Sequence, residues 1–207
     1  MPRTKEYPNL YSQSKEKHLE RGASIIVVVI IMSFIITIGV LLLTITGTGT
    51  KVAGNIRTQQ EAFNAAEAGF DAGWTAIDDY FADGTWSSFE GHFLKEPHGI
   101  DLPDSKKNYF RRLTDVEILN LIDSDGDGNP DLNNILFYLQ PYVTNSEGQL
   151  DLKYTYTVFL IDDKANGGEE DPSNALMICI GSVRTGNKMT TSRLEISLAA
   201  KFEGSNP

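Results

Sequence analysis

Between Arg21 and Lys51 the chain carries no charged residue, and residues 23–45 read ASIIVVVIIMSFIITIGVLLLTI. A bilayer core takes about 20 apolar helical residues. A helix at the core of a 207-residue chain seldom stays apolar on every side for so long, so this run reads as a membrane-embedded helix. It is longer than the apolar region of a secretory signal peptide, about 7–15 residues, and no small-residue cleavage site follows it. The mean hydropathy of −0.23 therefore averages two unlike parts. Before the run, residues 1–22 hold five basic residues against three glutamates, a net +2, which favours a cytoplasmic N-terminus. The whole chain carries −10, so residues 23–207 carry −12.

That acidity argues against nucleic-acid binding, which needs clustered Lys and Arg. A single cysteine, Cys179, excludes an intramolecular disulfide framework and a cysteine zinc site. No G-x-S-x-G, P-loop or H-E-x-x-H motif is present, and the three histidines form no catalytic set, so the expectation is a non-enzyme.

Beyond Lys51, the residues Val52, Ile56, Phe63, Phe70, Trp74, Ile77 and Phe81 recur at helical spacing. One long helix is expected over about 24–82, apolar first and amphipathic after, and about 85–90 Å long. Its large apolar stripe should bury against a sheet. Small residues at 62, 65, 66, 68, 69, 72 and 73 should permit close approach of another element. Bending or local melting is expected at Gly47-Thr48-Gly49. Residues 83–107 read as an irregular connection, with His92, His98, Glu90 and Glu96 in a solvated loop. Strands are expected at 153–161, 175–184 and 190–202, the last two joined by a hairpin at 185–189. A further strand over 134–143 is restricted to an edge by Pro141. Cys179 should be a buried or half-buried thiol. Helix followed by strands gives an α+β fold with an antiparallel sheet.

The junction Arg21-Gly22-Ala23-Ser24-Ile25-Ile26 resembles a prepilin-type leader, cut after the glycine by a membrane peptidase. Ala53-Gly54-Asn55-Ile56-Arg57, and then Ala62-Phe63-Asn64-Ala65-Ala66-Glu67-Ala68-Gly69-Phe70, resemble the N-terminal signature of PilX-type minor pilins of type IV pili. Residues 178–187 and 193–198 are similar to the closing hairpin of that family. The resemblance implies a type IV pilin-like fold. Residues 1–22 would be the leader, with Gly22 and Ala23 at the cut. Residues 23–50 would be the membrane and filament-core half of the helix, 51–82 its amphipathic half, and 83–207 the head. It implies partnership with other pilins and with prepilin peptidase, through an assembly face that includes Val27, Phe63, Glu67 and Phe70. The chain would lie in the inner membrane before assembly and in a pilus at the cell surface after it. Major pilins resemble one another in a Glu at the fifth mature position, and here that position is Val27. A buried Glu needs a partner, taken in the family to be a neighbour's N-terminal amine. A subunit without it suits a position at or near the tip, or a role in starting assembly. The alternatives are a pseudopilin of a type II secretion system and an uncleaved, membrane-anchored calcium-binding surface protein.

The sharpest local chemistry is Asp123-Ser124-Asp125-Gly126-Asp127-Gly128-Asn129-Pro130-Asp131. Carboxylates at positions 1, 3, 5 and 9, with Gly at 6, follow calcium-loop spacing, and Asn129 offers its carbonyl at 7. Asp123, Asp125, Asp127, Asn129 and Asp131 are the candidate calcium ligands. Asn134 stands at position 12 in place of a bidentate Glu, so Glu147, Asp151 or a carbonyl would complete the shell. A second acidic loop, 162–171, fits no ligand rule and reads as a solvated hairpin loop.

Overall fold

The computed structural model describes residues 10–99, 108–162 and 171–200, the side chains from Ser24 onward. The chain divides into two units, 1–54 and 55–207. The first is helical throughout its described part, within α1 (Leu10–Ala82). It contains the apolar run, with large side chains exposed on every side. Among the described residues one helix is long and apolar enough to cross a membrane, by length and composition, features that a signal sequence near the N-terminus shares. Helix is maintained through Gly47, Thr48 and Gly49, so the expected melting is absent. Thr44, Thr46 and Thr48 each donate their hydroxyl to the carbonyl four residues back, at 2.8–2.9 Å. Those bonds satisfy the polar groups of this segment within the helix itself. The helix also begins earlier than expected, and Gly22 and Ala23 lie in helical backbone.

The second unit holds the remainder of α1, a 3-10 turn (Phe110–Arg112), α2 (Asp115–Ile122) and four strands. These are β1 (Ile135–Pro141), β2 (Tyr154–Ile161), β3 (Asn174–Thr185) and β4 (Lys188–Ala199). They form one antiparallel sheet in the order β1-β2-β3-β4. The fold is α+β, as the sequence predicts, and each expected strand is present to within a few residues. Phe202, the expected end of the last strand, lies outside the described residues. The two edges differ. β1 ends at Pro141, shifts register twice against β2, and places Leu139 at φ 42°. β4 keeps unbroken register with β3 from Lys188 to Ala199.

Both faces of the sheet are covered, which is why β2 and β3 are buried along nearly their whole length. Tyr156, Val158, Leu160, Met177 and Cys179 face α1 and the first part of the connection, where Trp86, Phe89 and Phe93 join the core. Burial pushes the Cys179 thiol up to about 12. On the opposite face, Phe159, Ile161, Leu176, Ile178 and Ile180 pack against Phe110 and against Ile118, Leu119 and Ile122 of α2. Arg193 of β4 fastens that layer. Its Nε donates to Asp115 Oδ1 at 2.6 Å, and its Nη1 and Nη2 donate to the carbonyls of Phe110 and Leu113.

The face of α1 that meets the sheet is the small-residue one, where close approach is expected, and not the large apolar stripe expected to bury there. Ala62, Ala65, Ala66, Gly69, Gly73 and Ile77 are buried, whereas Phe63 is 42 % and Trp74 51 % exposed. Val52 and Ile56 are exposed too, and Phe70 and Phe81 are half-buried. The bulk is supplied by the strands. A Cβ on Gly69 would lie 3.0 Å from Tyr156 Cβ, and one on Gly73 would lie 2.9 Å from Val158 Cγ1. Gly181 of β3 lies against the helix backbone itself, and a Cβ there would overlap the Ala62 carbonyl oxygen and the Ala66 amide nitrogen. Small residues on both sides let strand and helix approach backbone to backbone. The connection over 83–99 is irregular and exposes Glu90 and Glu96, as expected, but it is not wholly solvated. Phe89, Phe93 and Leu94 are buried, and His92 stacks on Trp86 at 3.9 Å between centroids.

Since neither backbone can yield, Gly181→Ala should lower unfolding free energy by about 1–3 kcal/mol, and Gly181→Val by more. Guanidinium denaturation followed by circular dichroism reads the shift in midpoint.

Candidate functional site: the acidic loop after α2

The loop at 123–134 is set by the helix before it and the strand after it. A short amphipathic run becomes α2 because Thr114 and Glu117 form a capping box. Thr114 Oγ1 accepts from the Glu117 amide, and Glu117 accepts from the Thr114 amide at 2.8 Å. The buried side chains Ile118, Leu119 and Ile122 then fix where the helix ends. Asp123 is its C-cap residue, with its amide on Leu119 O. The chain folds back so that the Asp131 amide reaches the Ile122 carbonyl at 2.7 Å. Gly126 and Gly128 take positive φ, 74° and 89°, where side chains are disfavoured.

Three of the five candidate ligands come together. Carboxylate oxygens of Asp123, Asp125 and Asp131 lie within 4.8 Å of one another. Asp123 is 8 % exposed, and the other two are exposed. Asp127 stands apart from this group. Its carboxylate accepts from the Asn129 amide at 2.7 Å and from Asn129 Nδ2 at 3.2 Å. Asn129 is thus tied to Asp127. Neither Glu147 nor Asp151 belongs to the described cluster; Asp151 Oδ1 accepts from the Lys153 amide instead. Asn134, at position 12, has φ 66° and donates Nδ2 to the carbonyls of Gly91 and Phe93. It ties the loop's exit to the connection after α1.

Asp123 is the anchor. It accepts from the amides of Gly126 (2.8 Å) and Gly128 (3.0 Å) and from the Tyr138 hydroxyl (2.9 Å). Burial works to raise its pKa, but the bonds from Tyr138 and the two amides outweigh it and hold the carboxyl below the usual range. Asp131 is also held low, by the Ser124 hydroxyl at 2.5 Å and the Ser124 amide at 2.7 Å, against burial and the charge of Asp123. Tyr138 is pushed up, by burial first and then by its bond to Asp123. The arrangement therefore favours the ionised forms of Asp123 and Asp131, and carboxylate oxygens of Asp123, Asp125 and Asp131 converge, the donor set that hard divalent cations take.

Sequence spacing located Asp123, Asp125 and Asp131 but missed Tyr138, which lies on an edge strand with no local signal. It also missed α2, which carries the loop, although Thr114-x-x-Glu117 before an apolar run is a capping-box signal that could have found it. Most of the second acidic loop lies outside the described residues. Of the other candidates, Val27 and Phe63 are exposed on α1, Glu67 is exposed, and Phe70 packs at the sheet margin. Comparison of the chain with protein-family models, with curated proteins and with solved structures finds no match.

Carboxyls with depressed pKa values stabilise the fold above the unfolded-state value of about 4. That stabilisation is lost as pH falls through the lowered folded-state values. Without added metal, the melting temperature should be level from about pH 7 to pH 5 and fall below about pH 4. Asp123→Asn should lower it at neutral pH and flatten the acid fall, as read by thermal denaturation across pH.

Proposed function

We propose that the chain is a minor pilin of the PilX type, a structural subunit that joins a type IV pilus or primes its assembly, and not an enzyme. The observation that carries this reading is the build of α1. An apolar helix exposed on every side continues into a segment whose small-residue face is occupied by an antiparallel sheet. The first segment needs an apolar surrounding, lipid before assembly and neighbouring helices after it. The second leaves Phe63, Glu67 and Trp74 on its outer side, where other pilins would contact it. Cleavage after Gly22 would expose Ala23, and Val27 at the fifth mature position would place the subunit at or near the tip. A pilin-like fold agrees with the order long helix, irregular connection and antiparallel sheet closed by a hairpin.

A second reading, an uncleaved membrane-anchored surface protein, draws on one observation. Gly22 sits in helical backbone, and a peptidase needs the segment extended. The two separate cleanly. Coexpressed with a prepilin peptidase, the wild type should yield a mature N-terminus at Ala23. Gly22→Leu should run on a gel as the longer, unprocessed form. Identical mobility of the two forms would overturn the pilin reading. Recovery in sheared filaments, as against membranes alone, distinguishes a pilus subunit from a type II secretion pseudopilin.

The acidic loop is proposed to bind calcium through Asp123, Asp125 and Asp131, with modest affinity of about 10⁻⁵ to 10⁻³ M, as in extracellular modules. The convergent carboxylates support this, and an ion would relieve their repulsion. Millimolar calcium should raise the melting temperature. Asp125→Ala, which removes an exposed carboxylate that accepts from the Asp127 amide, should abolish the rise with little effect on the calcium-free protein. A wild type insensitive to calcium would overturn the site.

A further inference from the structure

Beside the end of α1, the second unit carries a groove of about 230 Å³. Ile77, Phe89 and Leu198, all buried, form its floor; Trp74 and Phe81 form its walls, with Asp78 at the rim. Small-molecule pockets run to about 300–1,000 Å³, so this space suits a single side chain.

Its electrostatics and rings define which one. Asp78 is exposed and has no hydrogen-bond or ion-pair partner among the described residues. Asp79 follows it, and the last turn of α1 contains no basic residue, so the negative end of the helix dipole adds to the two carboxylates. None of the lining residues is cationic. Trp86 is stacked against Tyr80 at 4.9 Å and His92 at 3.9 Å. The indole of Trp74 has no ring partner among the described residues and is half exposed. An apolar floor, a half-exposed indole and a carboxylate without a counter-charge among the described residues together match a long cationic side chain. Its stem covers the floor, and its head lies at the carboxylate beside the ring.

We propose that this groove receives an arginine or lysine side chain presented by a partner protein. The site uses no residue of the acidic loop, so it stands apart from the calcium reading; it shares Trp74 with the outer side of α1 that the pilin reading uses, but its test involves neither leader cleavage nor filament assembly. The test uses the full chain in detergent, titrated with N-acetyl-arginine-N-methylamide and, in parallel, with its neutral norleucine counterpart. The readout is the Trp74 indole N–H resonance, assigned by its loss in Trp74→Phe. A saturable shift with the arginine compound alone is expected, with affinity reduced about fivefold in Asp78→Asn and unchanged in Glu147→Gln. Absence of saturation, an equal response to norleucine, or undiminished affinity in Asp78→Asn overturns the proposal. A variant ending at Ala200 whose Trp74 resonance moves before any compound is added would also overturn it, by making residues 201–207 the occupant.

Discussion

The contact of Gly181 with the α1 backbone at Ala62 and Ala66 governs the second unit. Dispersion attraction falls steeply with separation, so a strand that reaches the helix backbone brings its neighbours into contact as well. Tyr156 and Val158 of β2 and Met177 of β3 fill the space that Gly69 and Gly73 leave. The opposite face of the same strands is then free to build a second core with Phe110 and α2. Arg193 couples that layer to β4 through a carboxylate and two carbonyls. Two cores on one sheet account for strands that are apolar on both faces, a pattern more usual in parallel sheets than in an antiparallel one with a solvated side.

The acidic loop is a product of this packing. α2 is placed by its buried side chains, β1 is placed by β2, and the loop spans the short distance between them. Asn134 and Tyr138 connect it outward, one to the connection after α1 and the other from the strand behind it. A change in the loop would therefore be felt at Gly91 and Phe93 as well as at β1.

The apolar run, the α+β order and all four strands were legible in the sequence because each rests on local periodicity or on a turn signal. The sheet-facing side of α1 was misread for a physical reason. Large and small residues both recur at helical spacing on this segment, and reading the large ones as buried presumes that the helix supplies the volume. Here the strands supply it, which only the tertiary structure reveals. The expected melting at Gly47 and Gly49 weighed glycine propensity alone, and the helix runs unbroken through both. For the acidic loop, spacing identified the convergent aspartates, while Asp127 and Asn129 pair locally with each other. Tyr138, distant in sequence, carried no signal of its own.

The unequal edges of the sheet bear on how copies of the chain can associate. β1 is closed by proline and by broken register, the means by which natural sheets discourage further pairing. β4 is long and regular. Growth of a sheet from copy to copy needs two receptive edges, one to accept and one to offer. With one edge closed, strand addition on this protein is a single event that ends itself, and a runaway ribbon of stacked sheets has no second step.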